Sequence, residues 1–223
     1  MKILAIDTTT KFLCLGAYDG KNTYEYSLET GQKLSKLLIP IIMNILESLN
    51  WNPREIDYFA CGIGPGSFTG TRIGVSTVKG MSWALKKPAI GVPTLDILAK
   101  EIMKTDAPIV PVIDAKRGLI YCAIYKNNTG ALKRTSPYML LGQDEFLRKA
   151  GKNGIFFADG AGLYKEMILG KVRGAKILDR DYWYPKAHNI ISLALEKIKN
   201  KKTGDSFSIK PIYLYPKDCQ VKR

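Results

Sequence analysis

The spacing of apolar residues along the chain predicts an alternation of short strands and amphipathic helices. Short apolar runs bounded by turn residues are typical of strands, whereas apolar positions three and four residues apart are typical of helices. The order βββαβαβ matches a ribonuclease H-like unit, an α/β fold with helices on the faces of a mixed sheet. Pro40 is expected to kink the first helix. The expected strands span 3–6, 12–18, 23–28, 58–61 and 89–92, and the expected helices span 33–50, 71–86 and 94–104.

The same pattern starts again near Ile109. Asp7 and Asp114 are each followed by an apolar run that ends in a Tyr. The Tyr lies eleven residues after the Asp in both copies, at Tyr18 and Tyr125. Two tandem units are therefore predicted, 1–107 and 108–223, of which the second departs from the pattern after its first hairpin. The two strand-end aspartates are expected to face each other across a cleft, where a nucleotide would lie if the protein binds one.

A glycine-rich stretch, residues 62–74, joins a predicted strand to a predicted helix. Glycines on both sides of Pro65 allow backbone angles that other residues avoid, and Ser67 or Thr69 can cap the first free amides of the helix. Such a turn can aim several N–H groups at one point and bind an anion there. A tight turn that only closes the strand onto the helix is the alternative, and the turn alone leaves both open.

Two predicted helices carry more apolar or small surface than one core requires. The apolar arc of the first helix spans about 240°, which indicates a second buried face; coverage on both sides by its own chain is the alternative. Small residues on one side of the second helix would let another helix approach closely. These small residues are Gly70, Gly74, Thr77, Gly80 and Ala84.

The composition is that of a globular protein with a full core. The chain has 223 residues, 46% of them apolar, and no apolar run of membrane-spanning length. Its four cysteines, at positions 14, 61, 122 and 219, form no Cys-x-x-Cys pair, which excludes a zinc knuckle or dithiol motif of that type. Free thiols are typical of a reducing compartment, and no signal peptide is apparent, so a cytoplasmic location is expected.

Positive charge is concentrated in the second half of the chain. The formal net charge is +14; residues 1–110 hold 12 Lys and Arg against 10 Asp and Glu, whereas residues 111–223 hold 22 against 10. Basic residues interleaved with aromatic ones, as in 182–186, favour contact with nucleic acid such as tRNA. A lysine-rich solvated surface is the alternative, because no compact basic block or RNA-binding motif is present.

Four motifs, in this order and spacing, resemble those of the TsaB (YeaZ) family. They are residues 3–8 (ILAIDT), 64–74 (GPGSFTGTRIG), 113–116 (IDAK) and 211–214 (PIYL). The long glycine-rich motif is highly specific, and the match covers essentially the whole chain. The resemblance implies two tandem ribonuclease H-like units of the actin/sugar-kinase/Hsp70 superfamily. It also implies a role in making threonylcarbamoyladenosine at position 37 of tRNAs that read ANN codons.

The resemblance implies a non-catalytic role, with no catalytic, cofactor or metal residues of its own. Family members bind the TsaD transferase through a helical bundle, act beside the TsaE ATPase, and can form homodimers through the same surface. Arg in place of Gly74 or Thr77 is expected to abolish partner binding and leave the fold intact. Carried onto this chain, the partner surface comprises Leu34, Leu37, Leu38, Ile41, Ile42, Gly70, Ile73, Gly74, Thr77, Val78 and Met81.

Two positions depart from the family pattern. Leu34 stands where many members carry His, and Tyr215 stands where Arg is usual, which puts the role of the C-terminal tail in question.

The alternative function is an independent enzyme of the same superfamily. An ATP-dependent kinase or a metal-dependent transferase or peptidase would use Asp7 and Asp114 across the cleft. A two-His metal site cannot be built, because His188 is the single histidine of the chain. The residues after Asp114, Ala-Lys-Arg-Gly, form a poor phosphate cradle.

Overall fold

The structure is a computed structural model that describes residues 1–102, 104–127 and 129–216, with the backbone alone for Gln32. Within these ranges Cys14, Cys61 and Cys122 are buried free thiols, as predicted, whereas Cys219 lies outside the described residues. No helix of the described ranges is long and apolar enough to cross a membrane.

The first unit is a five-stranded mixed sheet covered by helices. Its strands are β1 (Ile3–Asp7), β2 (Phe12–Tyr18), β3 (Thr23–Glu29), β4 (Tyr58–Gly62) and β5 (Ala89–Val92); its helices are α1 (Leu34–Ser48), α2 (Phe68–Leu85) and α3 (Thr94–Lys100). The sheet order is β3-β2-β1-β4-β5, with the first three strands antiparallel and β1, β4 and β5 parallel. Helices α1 and α2 pack on one face, because their apolar stripes meet those of β1, β2 and β4 in a shared core.

The second unit repeats this topology. Its strands are β6 (Thr105–Lys116), β7 (Leu119–Cys122), β8 (Tyr125–Asn127), β9 (Lys133–Arg134), β10 (Met139–Gly142), β11 (Ile155–Phe157) and β12 (Lys176–Ile177). Its helices are α4 (Gln143–Ala150), α5 (Asp159–Leu163), α6 (Lys165–Lys171) and α7 (Ala187–Lys199). The order β10-β7-β6-β11-β12 corresponds strand for strand to the first sheet. The expectation of two tandem ribonuclease H-like units is confirmed.

The two units exchange their last helices. Helix α3, which ends the first unit, packs its apolar side chains on β6 and β11 of the second sheet. Helix α7, which follows the second unit, packs on β1, β4 and β5 of the first sheet. A division at residue 107/108 separates the two sheets, apart from the first residues of β6. It leaves both α3 and α7 in the unit opposite the sheet on which each packs. The reason is that each apolar helix face is buried by the neighbouring unit.

Two local expectations need correction. Thr94 does not cap α3; the helix begins at Thr94, Pro93 is its N-cap, and it ends at Lys100. Helix α1 begins at Leu34, one residue later than expected, after a short 3₁₀ turn at Gly31–Lys33, and it continues through Pro40. The kink at Pro40 stays a prediction. Both corrected boundaries lie at helix ends, where helices fray.

Candidate functional site

Four glycines of the 62–74 segment pack against the residues at the end of β1. They stand at positions 62, 66, 70 and 74, and a Cβ atom at any of them would overlap an atom of Asp7, Thr8 or Thr9. The Thr8 hydroxyl donates to the carbonyl oxygen of Gly70 (2.7 Å), and the Ser67 amide donates to the carbonyl oxygen of Thr9 (2.7 Å). The glycines are therefore required by close contact between the segment and the strand end.

Three N–H groups of the turn donate hydrogen bonds within the chain. The Gly64 amide donates to Thr94 Oγ1 (3.1 Å). The Gly70 amide donates to Ser67 Oγ (3.2 Å), so Ser67, one of the two residues expected to cap α2, is its N-cap. The Ser67 amide itself is taken by Thr9. These three contacts support the structural interpretation of the turn.

Asp7 lies at the centre of this contact and is fully buried. Its Oδ1 atom accepts hydrogen bonds from the Thr9 amide and the Thr9 hydroxyl, both at 2.8 Å. Its Oδ2 atom has no hydrogen-bond partner among the described residues and packs beside Gly62. Burial raises the pKa of Asp7 from 3.8 to about 6, and the hydrogen bonds from Thr9 oppose this rise only in part.

Asp114, the corresponding residue of the second unit, is held differently. Its Oδ1 accepts from the Lys116 amide (2.8 Å) and its Oδ2 forms an ion pair with Lys116 Nζ (2.6 Å). The Asp114 amide donates to Asp159 Oδ1 (3.3 Å), and burial raises the pKa of Asp159. The two strand-end aspartates therefore stand in different surroundings, one enclosed by glycines and one neutralised by a lysine of its own loop.

The expected arrangement of Asp7 and Asp114 facing each other across an open cleft is not met. Asp7 has no exposed surface, because the 62–74 segment covers it. Two cavities of the described surface, of about 620 and 360 Å³, lie elsewhere. The first adjoins the end of α2, and the second lies beside Asp96 and Arg134.

The residues predicted to bind a partner divide by burial. Gly70 and Gly74 face Thr8, so the close approach for which they are needed is made by the chain itself, and this part of the small-residue interpretation is corrected. Four others are buried in the core of the first unit: Leu34, Leu38, Ile42 and Val78. Five are half-buried along α1 and α2 and reach the surface: Leu37, Ile41, Ile73, Thr77 and Met81.

Further exposed residues extend this surface. On α1, Ile39 and Met43 are each 48% exposed, which fits the wide apolar arc predicted for that helix. On α2, Gly80 and Ala84 are exposed, and a Cβ atom at Gly80 would meet nothing within 4 Å. The C-terminal half of the small-residue stripe thus faces outward, whereas its N-terminal half faces Thr8.

The C-terminal tail bridges the two units. The Ile212 amide donates to the carbonyl oxygen of Ile63 in the first unit (2.8 Å). The Tyr215 hydroxyl donates to the carbonyl oxygen of Ala115 in the second (2.7 Å), and its ring meets Tyr121 edge-on at 6.1 Å. Tyr215, where Arg is usual in the family, therefore has a defined structural contact here.

His188 has a structural position between two carboxylates. Its Nδ1 lies 2.7 Å from Glu25 Oε1, and its Nε2 lies 3.0 Å from Glu101 Oε2. Asn189 also donates to Glu101 (2.6 Å). The residue thus ties α7 to β3 and to the end of α3. The described residues contain no group of three or more His, Cys, Asp or Glu side chains placed to hold a metal ion.

Comparison with known proteins gives matches over the whole chain. A family model described as TsaD, tRNA N6-adenosine threonylcarbamoyltransferase, matches residues 28–155. The tRNA threonylcarbamoyladenosine biosynthesis protein TsaB of Bacillus subtilis is 29% identical, covering 100% of this chain and 97% of the relative. The protein of the same description from Escherichia coli is 28% identical, covering 96% and 94%. A solved structure of YeaZ from Pseudomonas aeruginosa gives a TM-score of 0.81 at 21% identity, covering 95% of this chain and 100% of the other.

Proposed function

Because this chain belongs to the TsaB (YeaZ) family, and to the wider family that the TsaD model describes, we propose that it acts in the biosynthesis of tRNA threonylcarbamoyladenosine. Its role is that of a non-catalytic activating subunit of a TsaD-like transferase, in the cytoplasm, beside a TsaE-like ATPase. The product is modified adenosine 37 of ANN-decoding tRNAs.

The apolar surface of α1 and α2 supports this proposal most directly. The bundle face, defined by Leu37, Ile41, Ile73, Thr77 and Met81, joins two neighbouring helices and is half-exposed in the isolated chain. Burying one large apolar side chain contributes about 1.5–3 kcal/mol, so a few such residues can hold a partner helix. A homodimer would use the same face in competition with the transferase.

The state of Asp7 argues against the enzyme alternative. A general base, nucleophile or metal ligand must reach the reacting atoms, whereas Asp7 is enclosed by glycines and has no exposed surface. Opening this site requires moving the 62–74 segment, which is joined to the strand end by the Thr8 and Ser67 hydrogen bonds. The geometry therefore favours a structural role for the residue.

The test of the role is reconstituted tRNA threonylcarbamoylation with a TsaD-like transferase, a TsaE-like ATPase and an activated threonylcarbamoyl donor. We expect product only when this chain is added, and no turnover of ATP or peptide by the chain alone. Equal product in its absence would contradict the activating role.

The test of the face is Thr77→Arg, with Ser76→Arg as the matched control. Thr77 lies on the bundle face, whereas Ser76 is exposed on another side of the same helix. We expect Thr77→Arg to abolish binding to the transferase, and any homodimer, with thermal stability unchanged; Ser76→Arg should bind normally. Gly74→Arg does not serve this purpose, because its side chain would collide with Thr8 and disturb the fold. Normal binding by Thr77→Arg would remove the face from consideration.

A further inference from the structure

One side of α2 carries two aromatic and two basic residues and is separate from the bundle face. The aromatic-basic stripe consists of Phe68, Arg72, Lys79 and Trp83, which at 100° per residue fall within about 60° of the helix circumference. Phe68 is 56% exposed and Trp83 is 70% exposed. Helix α2 contains no Asp or Glu, so the charge of the stripe is entirely positive.

The tail adds an aromatic residue at each end of the stripe. At the start of α2, Tyr213 packs against Phe68 with ring centroids 5.4 Å apart and accepts a hydrogen bond from Arg72 Nε (2.9 Å). The Arg72 guanidinium lies 3.7 Å from the Phe68 ring centroid. At the end of α2, Phe207 is 71% exposed and lines the cavity of about 620 Å³ together with Trp83.

The charges around the stripe are mostly positive as well. Lys86 and Lys87 line the same cavity, and Lys87 also pairs with Asp57 at 3.9 Å. The single carboxylate of the cavity lining, Asp205, accepts hydrogen bonds from the Phe207 and Ser208 amides and so is turned toward its own backbone.

We propose that the aromatic-basic stripe binds a single-stranded stretch of RNA. Bases stack on exposed aromatic rings without sequence preference, and lysine and arginine between the rings contact the phosphates. The two aromatic ends lie about 22 Å apart along the helix axis, the length of a few extended nucleotides. Exposed rings at both ends with cations between them, and the lack of acidic residues on α2, favour RNA over a protein helix here. The bundle face occupies a different side of the same helix. The identity of this RNA as tRNA rests on the proposed function, whereas the binding itself does not.

The experiment is fluorescence anisotropy of a labelled oligouridylate of about 12 nucleotides with the full chain alone. The test variant is Trp83→Leu/Phe207→Leu, which keeps apolar side chains but removes the stacking surfaces. We expect a loss of RNA affinity of about tenfold or more. Lys79→Gln should lower the slope of log affinity against log salt by about 0.7, the value for one phosphate contact on a single strand.

The matched controls lie in the second unit. Leu163→Ala removes an exposed apolar side chain, and Lys152→Gln removes an exposed charge from the basic half; neither should change RNA affinity. Absence of RNA binding by the parent chain, or binding insensitive to the double variant, would overturn the proposal. Loss of transferase binding in the double variant with RNA affinity unchanged would assign the stripe to a protein partner and also overturn it. Because the anisotropy assay contains no transferase, failure of the proposed function would show only in the modification assay.

Discussion

Replacing Asp7 by asparagine is expected to stabilise the protein at neutral pH. The folded chain holds the Asp7 carboxyl in a fully buried site where its pKa is raised from 3.8 to about 6. The unfolded chain releases this proton near pH 3.8, so between these values the folded state binds more protons and stability falls as the pH rises. The contribution of protonated Asp7 to the free energy of unfolding is therefore fully present below pH 3.8 and is lost as the pH rises through about 6.

The magnitude follows from the size of the shift. A rise from 3.8 to about 6 corresponds to about 3 kcal/mol of penalty for burying the ionised carboxylate. Asparagine keeps the Oδ1 acceptor for the Thr9 amide and hydroxyl, and its neutral amide replaces Oδ2, which has no hydrogen-bond partner. We expect Asp7→Asn to match the parent chain near pH 4 and to exceed it at pH 7.5 by up to about 3 kcal/mol.

The assay is urea denaturation of parent and variant at several values between pH 4 and 8. Asp19→Asn provides an opposite control, because Asp19 is exposed and the Asn22 and Lys21 amides lower its pKa to about 2. The stability from Asp19 is present above pH 3.8 and lost as the pH falls through about 2, so its replacement should weaken the fold at neutral pH. A constant offset between Asp7→Asn and the parent at every pH, or a less stable variant at pH 7.5, would refute the reasoning. If the proposed function holds, Asp7→Asn should act as the parent chain does in the reconstituted modification assay.

Three further substitutions test the packing around α2 and the tail. Gly74→Ala should lower the free energy of unfolding in urea by about 1–3 kcal/mol, since its Cβ would overlap Thr8. Gly80→Ala should raise it by up to about 1 kcal/mol, because its Cβ meets nothing and alanine favours the helix. Equal effects at the two sites would contradict the orientation of α2. Tyr215→Phe should cost about 1 kcal/mol by removing the hydrogen bond to the Ala115 carbonyl, and an unchanged urea midpoint would show that this bond does not contribute.

The apolar pattern predicts the sheet of the first unit and the first hairpin of the second, because a local signal defines each of these elements. It does not predict β9, β10 and β12, which have only two to four residues each. One strand ends at Asp7 as the apolar run indicates, whereas β6 continues past Asp114 to Lys116. Helices α1 and α2 lie where the three- and four-residue spacing places them. The repeat was visible for the same reason, since the hairpin after each Asp keeps its apolar spacing. Within the first unit, only the ends of strands and helices moved, by a few residues.

The rotation of α2 could not be predicted from local spacing. Gly70 and Gly80 look alike in the sequence, yet one faces Thr8, 62 residues away along the chain, and the other faces solvent. The exchange of α3 and α7 was hidden in the same way, because an apolar face does not specify which sheet will cover it. The exposed rings of Trp83 and Phe207 come from segments more than 120 residues apart, so only the tertiary structure brings them to one cavity.

The contact between the glycine segment and the end of β1 determines which surfaces α2 can present. Gly70 and Gly74 hold the first half of α2 against Thr8. The exposed surface of the helix then presents Ile73, Thr77 and Met81 on one side and the aromatic-basic stripe on another. A larger residue at either glycine would push the N-terminal half of α2 away from Thr8 and misplace both surfaces together. The demand for glycine in this segment therefore arises from the orientation of α2, and a ligand at the turn is not needed to explain it.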